Sequence, residues 1–151
     1  MASTSSAAGA GNAIEISRVF AAPRARVWQA WTQPEQLARW LCRTAPGVEV
    51  CVTRFDFRVV GGFSLEAQAP GGPLYQLDCE YREIREPAAL VFTWKWRGEE
   101  EETLVCVEFR QIQAGHTEVR LRHTRFASEK SREGHAWGWN ACFDKLEKAL
   151  M

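Results

Sequence analysis

The sequence has no surplus of either charge: Lys plus Arg and Asp plus Glu number 19 each in 151 residues. A chain whose main task is holding nucleic acid normally carries a basic excess, so no nucleic-acid partner is expected. Arg110, Arg120, Arg122 and Arg125 read as solvated outer faces of strands. No window approaches the roughly 18 apolar residues that a membrane span needs. Cysteine pairs at ligand spacing are missing as well. Cys42, Cys51, Cys79, Cys106 and Cys142 make an odd number with no CxxC and no Cys/His pair. They read as small buried hydrophobes in a reducing cytoplasm, not as a zinc site, and neither metal nor cofactor is expected. Ser64, Ser128 and Ser131 lack the GxSxG or SxxK setting of a nucleophile. No glycine-rich stretch opens a helix to cradle phosphate, since "VVGGF" joins two strands and "PGGP" is a turn.

What is present is patterned. "MASTSSAAGAGN" is small and polar, with neither a basic n-region nor an apolar h-region, and is expected to be a disordered lead-in over 1–12 rather than a signal peptide. One domain follows over 13–151, a length that can bury roughly 68–70% of its unfolded surface without disulfides. Ile14, Ile16 and Phe20 alternate as a strand, and Arg18 breaks their face as a guanidinium that must find a carboxylate or carbonyls. Pro23 is expected at the first position of a helix carrying Val27, Trp28 and Trp31. Pro34 opens a second short helix that buries Leu37, Trp40 and Leu41.

From Val48 to Phe126 the period is mainly two. Phe55, Phe57 and Val59 share a face, and Asp56 and Arg58 between them read as an ion pair or turn anchor. Tyr75, Leu77, Cys79 and Tyr81 alternate, then the register slips to Ile84, which predicts a bulge. Leu90, Phe92, Trp94 and Trp96 alternate again, "RGEEEE" reads as a solvated hairpin tip, and Val105, Val107 and Phe109 form the next strand. Val119 and Leu121 form the last strand, with His123 on their face.

The closing stretch "EGHAWGWNACFDKLEKAL" reads as a long helix, capped by Ser128 or Ser131. His135, Trp139, Cys142, Phe143, Leu146, Ala149 and Leu150 fall within about one third of its circumference. Asp144 and Lys148 are placed on the opposite side as an i,i+4 pair. Trp137 points about 160° from His135, outside or onto the lead-in, and Gly138 is expected to allow close approach of another element. The predicted class is α+β. A curved antiparallel sheet of about six to seven strands wraps the long helix, with two short helices after the first strand. One helix cannot fill such a sheet completely, so a cavity between them is expected.

The segments "ISRVFAAPRARVWQAWTQPEQLARWL", "FDFRVVGGFSLEA", "EYREIREPAALVFTWKW", "TEVRLRHTRF" and "HAWGWNACFDKLEKAL" occur in that order. Together they resemble the START-like, helix-grip (SRPBCC) superfamily over residues 13 to 150. Within it the chain is similar to the bacterial proteins that resemble the C-terminal domain of the heat-shock-protein-90 ATPase activator. The resemblance implies an apolar cavity beneath the C-terminal helix, used across the superfamily by lipid carriers, hormone receptors and polyketide cyclases. It carries over no catalytic residue.

The expected function is binding of a small hydrophobic or amphipathic molecule in that cavity, by a cytoplasmic monomer or homodimer. The candidate wall is Phe92, Trp94, Phe109, Leu121, Trp139, Phe143 and Leu146, with His123 and His135 as polar points. Two alternatives stand beside it. In a cyclase- or hydrolase-like enzyme, His123 or His135 would act as acid/base; in a co-chaperone-like module, a chaperone would be the partner.

Overall fold

The computed structural model describes residues 13–151; the expected lead-in lies outside the described residues. Alternating apolar side chains drive the architecture. β1 (Ile14–Phe20) buries Ile14, Ile16 and Phe20 on one face, as its period predicts. It is followed by α1 (Arg24–Thr32) and α2 (Pro34–Leu37). Pro23 is the N-cap of α1 with extended backbone, one residue before the helix, whereas Pro34 does open α2.

Six further strands follow: β2 (Glu49–Asp56), β3 (Gly62–Gln68), β4 (Leu74–Arg85), β5 (Ala89–Trp96), β6 (Thr103–Gln113) and β7 (His116–Thr124). α3 (Glu129–Ala149) closes the chain, capped by the Ser128 hydroxyl, which accepts from the Ser131 backbone N–H. The sheet is antiparallel throughout, in the order β1-β7-β6-β5-β4-β3-β2. The first two strands in sequence are therefore its two edges, and α1 and α2 carry the chain from one edge to the other.

The inner face of the sheet meets the helices. Trp28 and Trp31 of α1 pack edge-on against Phe109 of β6, and Phe143 of α3 packs against Phe20 of β1. Trp40, after α2, is fully buried and donates its indole N–H to the Ala30 carbonyl. Arg18 is 6% exposed on the same face. Its guanidinium reaches Asp144 at 2.8 Å and lies over the Phe143 ring. Asp144 thus pairs with the first strand rather than with Lys148.

Where the pattern meets an edge or a rim, depth departs from expectation. β2 ends at Asp56, so Val59 is exposed while Phe55 and Phe57 stack half-buried at the sheet's end. Asp56 and Arg58 form their ion pair at 2.9 Å, both turned to solvent. The bulge expected before Ile84 is present, as a register shift between Tyr81 and Glu83 in the β4–β5 ladder.

Candidate functional site

The helix does not cover the whole inner face. Beside the N-terminal half of α3 lies an open groove of about 830 Å³. Gly134, His135, Gly138, Trp139 and Cys142 of α3 form one wall, and Trp94 and Trp96 at the end of β5 form another. Ala67 and Gln68 of β3, Tyr75 of β4 and the segment bearing Cys42, Thr44 and Val48 complete it. The alternation of β5 turns Trp94 and Trp96 to the same face. Their rings meet at 86° with centroids 5.8 Å apart, and Tyr75 stands edge-on to Trp96.

The hairpin tip after β5 fixes the groove's upper end. The Glu101 carboxylate accepts from the Ala127 backbone N–H at 2.6 Å and from the Ser131 hydroxyl at 2.7 Å. The charge run is therefore more than a solvated tip: Glu101 ties the β5–β6 connection to the start of α3, where a negative charge also suits the helix dipole.

His123 and His135 sit together, with ring centroids 5.4 Å apart. His123 is fully buried. The Trp139 indole N–H donates to its Nδ1 at 2.9 Å, so the neutral ring carries its proton on Nε2, which faces the Thr103 hydroxyl at 2.6 Å. That hydroxyl in turn donates to the Trp94 carbonyl. Burial, and secondarily His135, hold the His123 pKa well below the usual histidine value. His135 repeats the arrangement at the groove wall. Its Nε2 accepts from the Trp96 indole N–H at 3.2 Å, and its Nδ1 lies 2.8 Å from the Ser131 carbonyl. Both nitrogens of each ring are engaged.

The groove's inner end holds two thiols. The Cys42 backbone N–H points at Cys142 Sγ at 3.2 Å. Burial raises the thiol pKa of both, that of Cys142 to about 12. Among the described residues no cluster of three or more His, Cys, Asp or Glu side chains is placed to hold a metal ion. A second hollow, of about 670 Å³, lies against the sheet's opposite side, among Glu15, Glu83, Arg85, Glu108, Arg120 and Arg122. Charged side chains paired across strands, as Arg122 with Glu15, line it beside Leu90, Val91 and Val107, and no aromatic ring borders it.

Of the wall expected from sequence, Trp94, His135 and Trp139 border the groove. Phe92, Phe109, Leu121, His123, Phe143 and Leu146 are buried in the core behind it. Trp137, expected outside, is 64% exposed yet borders the groove mouth. Gly138 allows no close approach: a Cβ there would meet only Thr44 Cγ2, at 3.9 Å. Cys42, Thr44 and Val48 escaped sequence reading because they lie in an irregular segment without periodicity. Gly134 and Gly138 did carry a signal, their four-residue spacing on one helix face.

Comparison with known proteins agrees with this architecture. The family described as Activator of Hsp90 ATPase homolog 1-like protein matches residues 21–151. The chain belongs to this family. Solved structures share its fold. A Chromobacterium violaceum protein is 22% identical, with a TM-score of 0.81 over 92% of this chain and 97% of its own. An Arthrobacter aurescens protein, also 22% identical, gives 0.80 over 92% and 86%. A Staphylococcus epidermidis protein, again 22% identical, gives 0.80 over 95% and 92%. No curated protein matches the chain. Among the described residues no helix is long and apolar enough to cross a membrane.

Proposed function

We propose that this family member binds a small hydrophobic or amphipathic molecule in the groove between α3 and the β3–β5 part of the sheet. The observation that supports the reading is the wall itself. Trp94, Trp96, Trp137, Trp139 and Tyr75 all border one concavity of about 830 Å³. Ligand sites typically span about 300–1,000 Å³, lined by apolar and aromatic side chains with few polar groups. In this reading Trp94, His135 and Trp139 touch the ligand. Phe92, Phe109, Leu121, His123, Phe143 and Leu146 hold those contacts in place from behind. Residues 13–151 act as a single unit.

The acid/base alternative draws no support from the hydrogen bonding. His123 is sealed, and His135 spends one nitrogen on an indole and the other on a carbonyl. Native mass spectrometry of the freshly purified protein tests the reading, followed by titration of delipidated protein with 1-anilinonaphthalene-8-sulfonate. Binding is expected to quench the groove tryptophans at one probe per chain. Protein that carries no molecule when freshly purified and takes up no probe once delipidated would rule the function out.

A further inference from the structure

Both walls of the groove are fixed in the same way. Trp139 of α3 and Trp96 of β5 border it, and each gives its indole N–H to a histidine, Trp139 to His123 and Trp96 to His135. The two imidazoles meet nearly at right angles, 5.4 Å apart. They differ in what surrounds them. His123 has no exposed surface, whereas His135 is half-buried and borders the groove itself. A proton from solvent therefore meets His135 before His123. Burial and the neighbouring ring also hold the His123 pKa well below the usual histidine value.

The partners of His135 set its tautomer. Nδ1 lies 2.8 Å from the Ser131 carbonyl, which can only accept. The neutral ring thus carries its proton on Nδ1, and Nε2 offers its lone pair to Trp96 at 3.2 Å. A second proton on Nε2 would set one N–H against another, and one ring must turn away. His135 is held by the Ser131 carbonyl, a bond that gains strength with charge. Trp96 is the freer partner. It is the last residue of β5, half-buried, and its ring meets Trp94 and the 56% exposed Tyr75.

Other groups bear on that charge. Glu99 and Glu101 of the β5–β6 connection border the groove and favour it, Glu101 at close range through the Ser131 hydroxyl. Lys130 on α3 and His123 on β7 oppose it. β3 and β4 bring Gln68 and Tyr75, while Cys42 and Cys142 bring thiols that burial keeps protonated.

We propose that the proton on His135 governs uptake in the groove. With the ring neutral, Trp96 is fixed as a wall and the guest is held. With the ring charged, the indole leaves its acceptor and the guest is released. The proposal rests on the ligand-binding reading above and adds its regulation. Besides bordering the groove, His135 is a positioning residue that acts through Trp96.

Histidine is the side chain that changes charge between about pH 5 and 8, which sets the range to examine. The probe is N-phenyl-1-naphthylamine, uncharged at pH 7.5 and at pH 5.5, titrated into the full chain by fluorescence. Wild type is expected to bind it about tenfold more weakly at pH 5.5, the worth of one hydrogen bond. The indole N–H resonance of Trp96, assigned by its absence in Trp96→Phe, should move over the same range. His135→Gln puts an amide oxygen in place of Nε2 and does not titrate. It should bind as wild type does at pH 7.5 and keep that affinity at pH 5.5. His135→Leu leaves the indole without an acceptor and should bind weakly at both. Wild-type affinity that acidification leaves unchanged overturns the proposal, as does an equal loss in His135→Gln, which would trace the effect to His123 or to unfolding. A Trp96 resonance that stays put while wild type loses the probe overturns it too, and so does tight binding by His135→Leu. Each of these leaves ligand binding itself standing. No uptake by wild type at either pH overturns both.

Discussion

The indole N–H of Trp139 donates to Nδ1 of His123 across 2.9 Å, joining α3 to β7 through a histidine with no exposed surface. The bond needs the neutral ring, because a protonated imidazole has no lone pair left to accept it. The His123 pKa is lowered by burial and by His135. The unfolded chain therefore takes up a proton near pH 6.5 that the folded chain refuses. Stability contributed by neutral His123 is complete above about pH 6.5 and falls as pH drops below it, until the lower folded pKa is reached.

Urea denaturation at pH 7.5, 6.5 and 5.5 should show that loss, with a limiting slope of about 1.4 kcal/mol per pH unit for one proton. His123→Leu should be less stable at pH 7.5, by about 1–3 kcal/mol, because the Trp139 N–H loses its acceptor. It should also lose stability less steeply on acidification. An unchanged slope in that variant would show that other groups carry the acid sensitivity.

The thiols make a second expectation. Cys51 is exposed; Cys106 is half-buried and Cys42, Cys79 and Cys142 are buried, and burial raises the pKa of all four. The thiolate is the reactive form, so alkylation with iodoacetamide at pH 8 should label Cys51 first and Cys106 next. The remaining thiols should react only when urea opens the fold. Peptide mapping by mass spectrometry gives the order. Early labelling of Cys142 would mean that α3 lifts from the sheet in the native state.

Much of the sheet was legible because alternation reports which side of a strand a residue faces. Alternation puts Leu90, Phe92 and Trp94 on one face, and all are buried. Alternation does not report depth. Tyr75 shares a pattern with Leu77 and Cys79 yet is 56% exposed, since it stands where the sheet passes beyond the helix. For the same reason the candidate wall divided into groove residues and core residues. The sequence orders them along faces, while the position of α3 on the sheet decides which side chains it covers. Asp144 shows the matching limit for helices. Its angle placed it away from the apolar stripe, but only the fold brings Arg18 of the edge strand within reach.

That Arg18–Asp144 contact supports a third prediction. Arg18 is buried while the Asp144 side chain is 69% exposed, and Glu147 stands 3.8 Å from the same guanidinium. Exposed partners of ion pairs contribute little, so Asp144→Asn should cost under about 1 kcal/mol, with Glu147 taking over. Arg18→Ala also strips the packing over Phe143 and should cost more, about 2–3 kcal/mol. Chemical denaturation of both variants checks the order. A larger loss from Asp144→Asn would show that the pair is worth more than its solvent exposure implies.

The glycines of α3 allow stability and binding to be separated. Glycine in a helix interior costs about 1 kcal/mol relative to alanine. Neither Gly134 nor Gly138 has a positive φ or a neighbour that a Cβ would strike. Gly134→Ala and Gly138→Ala should therefore stabilise the fold by about 1 kcal/mol each, raising Tm by about 2–4 °C for a chain of this size. Both glycines border the groove, so under the proposed ligand-binding function the same changes should weaken uptake of 1-anilinonaphthalene-8-sulfonate. Opposite signs in the two measurements are the mark of residues kept for function at a cost in stability. Variants that were less stable would instead show that the glycines meet a structural need of the helix itself. Variants that were stabilised and bound the probe as before would leave the two glycines without a part in binding.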